Sequence, residues 1–331
     1  MKITILGAGA WGTALAISLA ARNEVLLWGR NQKMMSQLQI DRTNQNYLPD
    51  FIFPPRLQAT ADFDMAIKHV QVSGLLIVAS SVAGLRPILT QCLPYQLKQV
   101  VWLCKGFEEE SQFLPHQTVR QVLGEQVAAG ALSGPSFAQE VAKGLPCALT
   151  IASSDPMLCQ QVVAAVHGNA IRVYSSDDVI GVEVGGAVKN ILAIATGIAD
   201  GLGLGLNARA ALMTRGLAEI SRLGVALGAR SETLMGLTGV GDLILTCTGD
   251  LSRNRKVGLG LAQGKSLATI VEELGHVAEG VRCAQAVRTL AERLKIDMPI
   301  SDAVAGVLFD GISAQKTIER LLARDAKQEG L

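Results

Sequence analysis

The first twelve residues constrain the fold more than any other stretch of this chain. Lys2-Ile3-Thr4-Ile5-Leu6 is short and almost continuously apolar, which reads as a strand buried on both faces. It runs directly into Gly7-Ala8-Gly9-Ala10-Trp11-Gly12, and Thr13 to Ala21 continues with small apolar residues at helical spacing. In a strand–turn–helix of this kind Gly7 permits the tight turn and Gly9 lets backbone approach a pyrophosphate. Gly12 lets the helix pack close to the sheet. The helix N-terminus adds free N–H groups and a partial positive charge. A glycine triplet alone is weak evidence, and a chance turn in another α/β protein is the bland alternative. Its place after a buried strand and before an Ala-rich helix predicts a dinucleotide site.

At 331 residues the chain is long enough for two domains. A formal charge of +1 gives no electrostatic case for nucleic acid or an anionic membrane. The six cysteines show no CxxC spacing, which fits a reducing compartment, and the four scattered histidines suggest no metal site. With the first strand read from residue 2 and no basic stretch or cleavage site before it, no signal peptide is expected. Mean hydropathy is +0.31, and Gly181 to Ala199 is the most apolar segment. It contains Glu183, Lys189 and several glycines, so it reads as the core helix of a protein without membrane insertion. A cytoplasmic location is expected.

Up to about residue 175 strand and helix alternate. Glu24 to Trp28, Gly74 to Val78, Gln99 to Cys104, Ala128 to Leu132, Cys147 to Ala152 and Ile171 to Tyr174 read as further strands. The order predicts a Rossmann-like α/β fold, a doubly wound and mostly parallel sheet, over residues 1–178. Residues 179–331 read as an all-helical second domain, with Asn207 a candidate N-cap and a substrate cleft between the halves.

Several residues stand out chemically. After the second strand the sequence is Trp28-Gly29-Arg30-Asn31, without the carboxylate that commonly binds a ribose 2′-hydroxyl. Gly29 reads as leaving room and Arg30 as a partner for a 2′-phosphate, which predicts NADPH preferred with NADH possible. Stacking of Arg30 on adenine is the alternative. Lys105 leaves a buried run at a strand's C-terminal end, where it is either a ligand contact or a solvated end residue. Lys189 has no carboxylate at helical spacing and small neighbours. A buried ammonium there has the lowered pKa that proton transfer needs, whereas a snorkelling surface lysine does not. Ser136 with Gln139 fits a capping box after Ser133-Gly134-Pro135. Ser252-Arg253-Asn254-Arg255 opens a helix with cations, an arrangement that a bound anion would explain better than a solvated turn. Asp242 follows two glycines in Gly239-Val240-Gly241; alone it says little, and it would orient the Lys189 ammonium only if the fold brought the two together.

Together these pieces resemble the soluble NAD(P)-dependent glycerol-3-phosphate dehydrogenases of bacteria, essentially end to end. The resemblance rests on the glycine fingerprint, Lys105-Gly106, Ser133-Gly-Pro-Ser-Phe-Ala138, Val188-Lys-Asn190, Asn207-Ala-Arg-Ala-Ala-Leu212, Gly239-Val-Gly-Asp-Leu243 and Leu251-Ser-Arg-Asn254. It implies interconversion of dihydroxyacetone phosphate and sn-glycerol 3-phosphate, serving phospholipid synthesis, by a homodimer. It further implies that Lys189 moves the proton, Lys105 polarises the carbonyl and contacts the cofactor, and Asp242 and Thr246 organise the lysine and substrate. Gly134, Ser136, Ser252, Arg253 and Asn254 would hold the substrate. Ala10, Trp11, Arg30, Ala138, Arg253, Val277 and Glu279 would join the glycines in holding the cofactor. A dehydrogenase of hydroxy or sugar acids and a non-catalytic redox sensor are the rival readings. The phosphate-binding cluster opposes the first and the lysines oppose the second.

Overall fold

The computed structural model of the chain describes residues 1–168, 170–275 and 278–323. Their strands are β1 (Lys2–Leu6), β2 (Glu24–Trp28), β3 (Thr43–Asn44), β4 (Leu48–Ile52), β5 (Leu57–Thr60), β6 (Leu75–Val78), β7 (Gln99–Trp102), β8 (Ala128–Ser133), β9 (Cys147–Ser153) and β10 (Ile171–Ser176). Eight form one sheet in the order β10-β9-β8-β7-β6-β1-β2-β5, while β3 and β4 pair as a separate antiparallel hairpin. Within the large sheet only β8 and β9 run antiparallel. Alternate residues of a strand point to opposite faces, and here both faces are covered. Ile3, Ile5, Leu27 and Ile77 enter the core on one side, and Leu6, Leu26, Leu76 and Val78 the core on the other. That is why these strands read as unbroken apolar runs.

All seven expected strands are present. The hairpin and β5 are additions. β4 reads Leu-Pro-Asp-Phe-Ile with only Leu48 buried, and the edge strand β5 buries only Leu57, so neither carries the apolar run of a central strand.

The second half is helical and is built around one element, Val179–Gly201, in which every residue from Gly181 to Ala199 is buried. It is long and apolar enough to cross a membrane, yet 89% of its most apolar window is covered by the rest of the protein. Glycines bring a second helix, Arg253–Ala262, against it backbone to backbone. A Cβ at Gly258 would lie 2.1 Å from the Ile194 carbonyl oxygen, and one at Gly197 would lie 2.2 Å from that of Arg255. Buried carboxylates fix two helix starts. Asp178 caps the central helix through Gly181 N–H (2.9 Å), and Glu219 accepts from Ile300 N–H (2.6 Å) and Ser301 N–H (3.0 Å). The helix expected from Asn207 begins earlier, at Gly205 with Leu204 as N-cap, so Asn207 lies in its first turn rather than capping it.

The glycine crossing yields a stability prediction. Gly258→Ala forces a methyl into backbone and should cost about 2 kcal/mol or more. Gly9→Ala, with nothing within 4 Å of the added carbon, should change stability by less than about 0.5 kcal/mol. Urea unfolding midpoints at constant m-value measure both.

Candidate active site

The strand order reverses at β1, which lies between β6 and β2, and the C-terminal edge there is where an open α/β sheet receives ligands. Gly7 takes φ +133°, and a Cβ on it would sit 2.4 Å from the Ala79 carbonyl oxygen. A Cβ on Gly12 would sit 2.1 Å from the carbonyl oxygen of Gly7, so the helix Ala10–Leu19 packs directly on the turn. Gly9 is the N-cap of that helix. No side chain caps its first turn, which opens with Ala10 and Trp11 and holds no acidic residue. Free N–H donors beside open space fit a pyrophosphate.

At the end of β2 Arg30 is exposed, while the Asn31 side chain is spent capping the next helix through Met34 N–H (2.9 Å). Gly29 also has a packing role beside its reading as ligand space. Its missing Cβ would lie 2.5 Å from Met35 Sδ in the Gln32–Asp41 helix.

Further along the same edge, three residues beyond β7, Lys105 Nζ donates to Asp242 Oδ2 (2.6 Å) and to the Gly134 carbonyl after β8 (3.1 Å). Lys189, midway along the central helix, donates to Asp242 Oδ1 and to Thr246 Oγ1 (2.8 Å). The Thr246 hydroxyl donates in turn to the Asp242 carbonyl (2.6 Å). One carboxylate thus joins two ammonium groups, one from each half of the chain. Asp242 reaches them because the turn Leu237–Gly241 lies flush on the central helix, where a Cβ at Gly185 would be 2.5 Å from the Thr238 carbonyl oxygen.

Asp242 is 1% exposed and Lys189 6%, so their charges interact with little solvent screening. Burial, helped by the neighbouring Lys105 charge, lowers the Lys189 pKa to about 8, and Asp242 limits the fall. Burial alone would raise the Asp242 carboxyl, but the two ammonium groups outweigh it and hold it below its ordinary value.

Ser136 Oγ donates to the Gly134 carbonyl (3.1 Å) instead of capping a helix. The helix Ala138–Ala142 starts after Phe137 without a side-chain cap, so the expected Ser136–Gln139 capping box does not form. Ser252 caps the helix Arg253–Ala262 through Arg255 N–H (3.2 Å). Of the two arginines, Arg255 is committed to Asp200 (2.8 Å) and Asp250 (3.0 Å). Arg253 is exposed and has no hydrogen bond or ion pair among the described residues. Asn254 is buried, donating to Asn190 Oδ1 (2.9 Å) and accepting from Gly280 N–H (2.9 Å), which ties this helix start to the neighbour of Lys189. Burial raises the Glu279 carboxyl, and Arg253 and Arg282 pull it back. Val277 lies outside the described residues.

The structure therefore joins Lys105, Gly134, Ser136, Lys189, Asp242 and Thr246 in one hydrogen-bonded cluster. Asn254 donates to Asn190, the chain neighbour of Lys189, while Ser252 and Arg253 precede it at the same helix start with no hydrogen bond of their own to the cluster among the described residues. No hydrogen bond among the described residues links the glycine turn or Arg30 to that cluster. Sequence reasoning named Asn190 only as part of a motif and gave it no role, and passed over Asn44, which lies in the unforeseen hairpin. Among the described residues no group of three or more His, Cys, Asp or Glu side chains is arranged to hold a metal.

The N-terminal model of the NAD-dependent glycerol-3-phosphate dehydrogenases matches residues 2–159 and the C-terminal model residues 178–319. A protein of Paucimonas lemoignei named glycerol-3-phosphate dehydrogenase [NAD(P)+] is 69% identical, covering 100% of this chain and 99% of its own length. A like-named protein of Herminiimonas arsenicoxydans is 68% identical over 99% of each. The crystal structure of glycerol-3-phosphate dehydrogenase from Coxiella burnetii superposes with a TM-score of 0.93 at 41% identity, covering 98% of this chain and 99% of that one. A D-mandelate dehydrogenase bound to NADH, 15% identical with a TM-score of 0.56, shares the fold alone. The chain belongs to the NAD-dependent glycerol-3-phosphate dehydrogenase family and is an oxidoreductase.

Proposed function

We propose that this enzyme interconverts dihydroxyacetone phosphate and sn-glycerol 3-phosphate, with NADPH preferred to NADH, and thereby supplies glycerol 3-phosphate for phospholipid synthesis. The observation that carries the reading is the buried Lys189–Asp242–Lys105 cluster at the sheet's C-terminal edge. In this reading residues 1–178 hold the dinucleotide and the helical remainder supplies the proton and the phosphate grip.

The nicotinamide, when bound, supplies or takes the hydride. In reduction the carbonyl carbon gains a hydride and the oxygen gains negative charge, which Lys189 relieves by giving up a proton from Nζ. Lys105 polarises the same oxygen. Asp242 keeps both ammonium groups in place, and Thr246 aims the Lys189 lone pair when the amine is neutral. In oxidation the neutral Lys189 takes the hydroxyl proton. Arg253, exposed at a helix N-terminus and free of an ion pair among the described residues, binds the substrate phosphate with Ser252 and Asn254. Gly134 and Ser136 line the opposite side. Gly7, Gly9, Ala10, Trp11 and Gly12 cradle the pyrophosphate, with Arg30 at a 2′-phosphate. Ala138 and Glu279 complete the cofactor contacts.

A cytoplasmic homodimer is part of the same reading. All six cysteines are free thiols, as suits a reducing compartment. At the start of the helix Gly205–Ala226 the exposed apolar side chains Leu204 and Leu206 are candidates for contact with a second copy.

Lys189→Ala should lower kcat for triose phosphate reduction by about 1,000-fold or more while calorimetric NADPH affinity persists, and near-normal turnover would remove Lys189 from the mechanism. The pH dependence has a definite sign. Lys189 is charged below about pH 8, so kcat for reduction falls as pH rises through that value and kcat for oxidation climbs. Initial rates in both directions from pH 6 to 10 read this directly. Arg30→Ala should raise KM for NADPH about tenfold and leave KM for NADH nearly unchanged, as expected for loss of one charge-assisted phosphate contact. An equal rise for both cofactors would favour stacking on adenine.

A further inference from the structure

The hairpin β3–β4 reaches the glycine turn through one side chain. Asn44 is fully buried, and its Nδ2 donates both to the Ala8 carbonyl (3.0 Å) and to Thr13 Oγ1 (2.8 Å). Thr13, one turn into the first helix, is fully buried as well. Both amide hydrogens are spent on the two sides of the Gly9 N-cap, and the Asn44 carbonyl oxygen is left buried without a hydrogen-bond partner. An unpaired buried acceptor is costly, and folded proteins retain few of them.

The Ala8 carbonyl belongs to the same peptide plane as the Gly9 N–H. In a planar trans peptide the two groups point in opposite directions. Holding the carbonyl toward Asn44 therefore aims the Gly9 N–H away from the hairpin. That N–H has no partner among the described residues, and the space around Gly9 is open. A glycine at this position is otherwise free to rotate its peptide planes, so something outside the turn has to fix them.

We infer that Asn44 is a positioning residue for the dinucleotide. It locks the Ala8–Gly9 peptide so that the Gly9 N–H is pre-aimed at a pyrophosphate oxygen, and it reduces the ordering that binding would otherwise require. The inference rests on the reading of the glycine turn as the pyrophosphate cradle.

Three variants test it. Asn44→Ala removes both bonds, Asn44→Asp keeps the shape but has no donor for the Ala8 carbonyl, and Thr13→Val removes only the second anchor. Dissociation constants for NADPH and NADH are measured by calorimetry, together with kcat, both KM values and thermal unfolding. The two Asn44 variants should weaken both cofactors about tenfold, the size expected of one lost orienting hydrogen bond. The KM for dihydroxyacetone phosphate should stay within twofold, and kcat should fall far less than cofactor KM rises. Thr13→Val should show a smaller loss of the same kind. Unchanged cofactor affinity in a folded Asn44→Asp protein would overturn the inference. So would a loss that appears equally in the triose phosphate KM and tracks the melting temperature, because that marks a merely structural role. A wild-type protein that binds neither dinucleotide would instead overturn the cradle reading itself.

Discussion

A single carboxylate, Asp242, sets the terms for the rest of the molecule. It is nearly inaccessible to solvent and holds two ammonium groups, one carried by the sheet and one by the central helix. A buried charge without a partner costs several kcal/mol, and a buried pair survives only with good geometry and further hydrogen bonds. Both conditions are met here, because Thr246 and Gly134 take up remaining donors. The cluster also carries a bias. Two positive charges face one negative charge, so the arrangement stabilises Asp242 as a carboxylate while burial brings the Lys189 titration down to about 8, close to physiological pH.

The packing around the cluster explains how such a group is kept in place. The central helix is buried almost along its whole length, and glycines let other segments approach its backbone at Gly185, Gly197 and Gly258. Close backbone contact leaves little room for sliding or rotation, which fixes where Lys189 emerges. At its N-terminus the helix is anchored by Asp178, which also accepts from Arg230 N–H (2.9 Å). Nearer the sheet, the buried Glu183 accepts from Trp102 Nε1 (3.0 Å) and His116 N–H (2.9 Å) and shares a short hydrogen bond with His116 Nδ1. Trp102 lies on β7, three residues before Lys105, so the two lysines are positioned by elements that are themselves joined.

How far this was readable in advance depended on the range of each interaction. Central strands such as β1, β6 and β7 were legible because burial on both faces leaves nearly unbroken apolar runs, and the edge strand β10 by its alternation of buried and exposed residues. The glycine turn was legible because its neighbours determine its geometry. Lys189 stood out as a charge without a helical partner, but its actual partner lies fifty-three residues away and no local spacing reveals it. Local rules misled where tertiary contacts took over. Ser136 turns toward Gly134 rather than Gln139, and Asn207 falls inside a helix that starts earlier. The hairpin was invisible because its residues are mostly exposed and bury no stripe, although Asn44 connects it to the most conspicuous motif in the chain.

The account turns on Lys189 being a desolvated lysine held by a shared carboxylate, and its own titration is the most direct test. With lysine labelled at 13Cε and the Lys189 signal identified by its loss in Lys189→Arg, the chemical shift followed against pH should show a midpoint near 8. In Asp242→Asn the midpoint should fall further, because the counter-charge that favours the ammonium form is gone. A midpoint near the ordinary lysine value, unmoved by Asp242→Asn, would contradict the account.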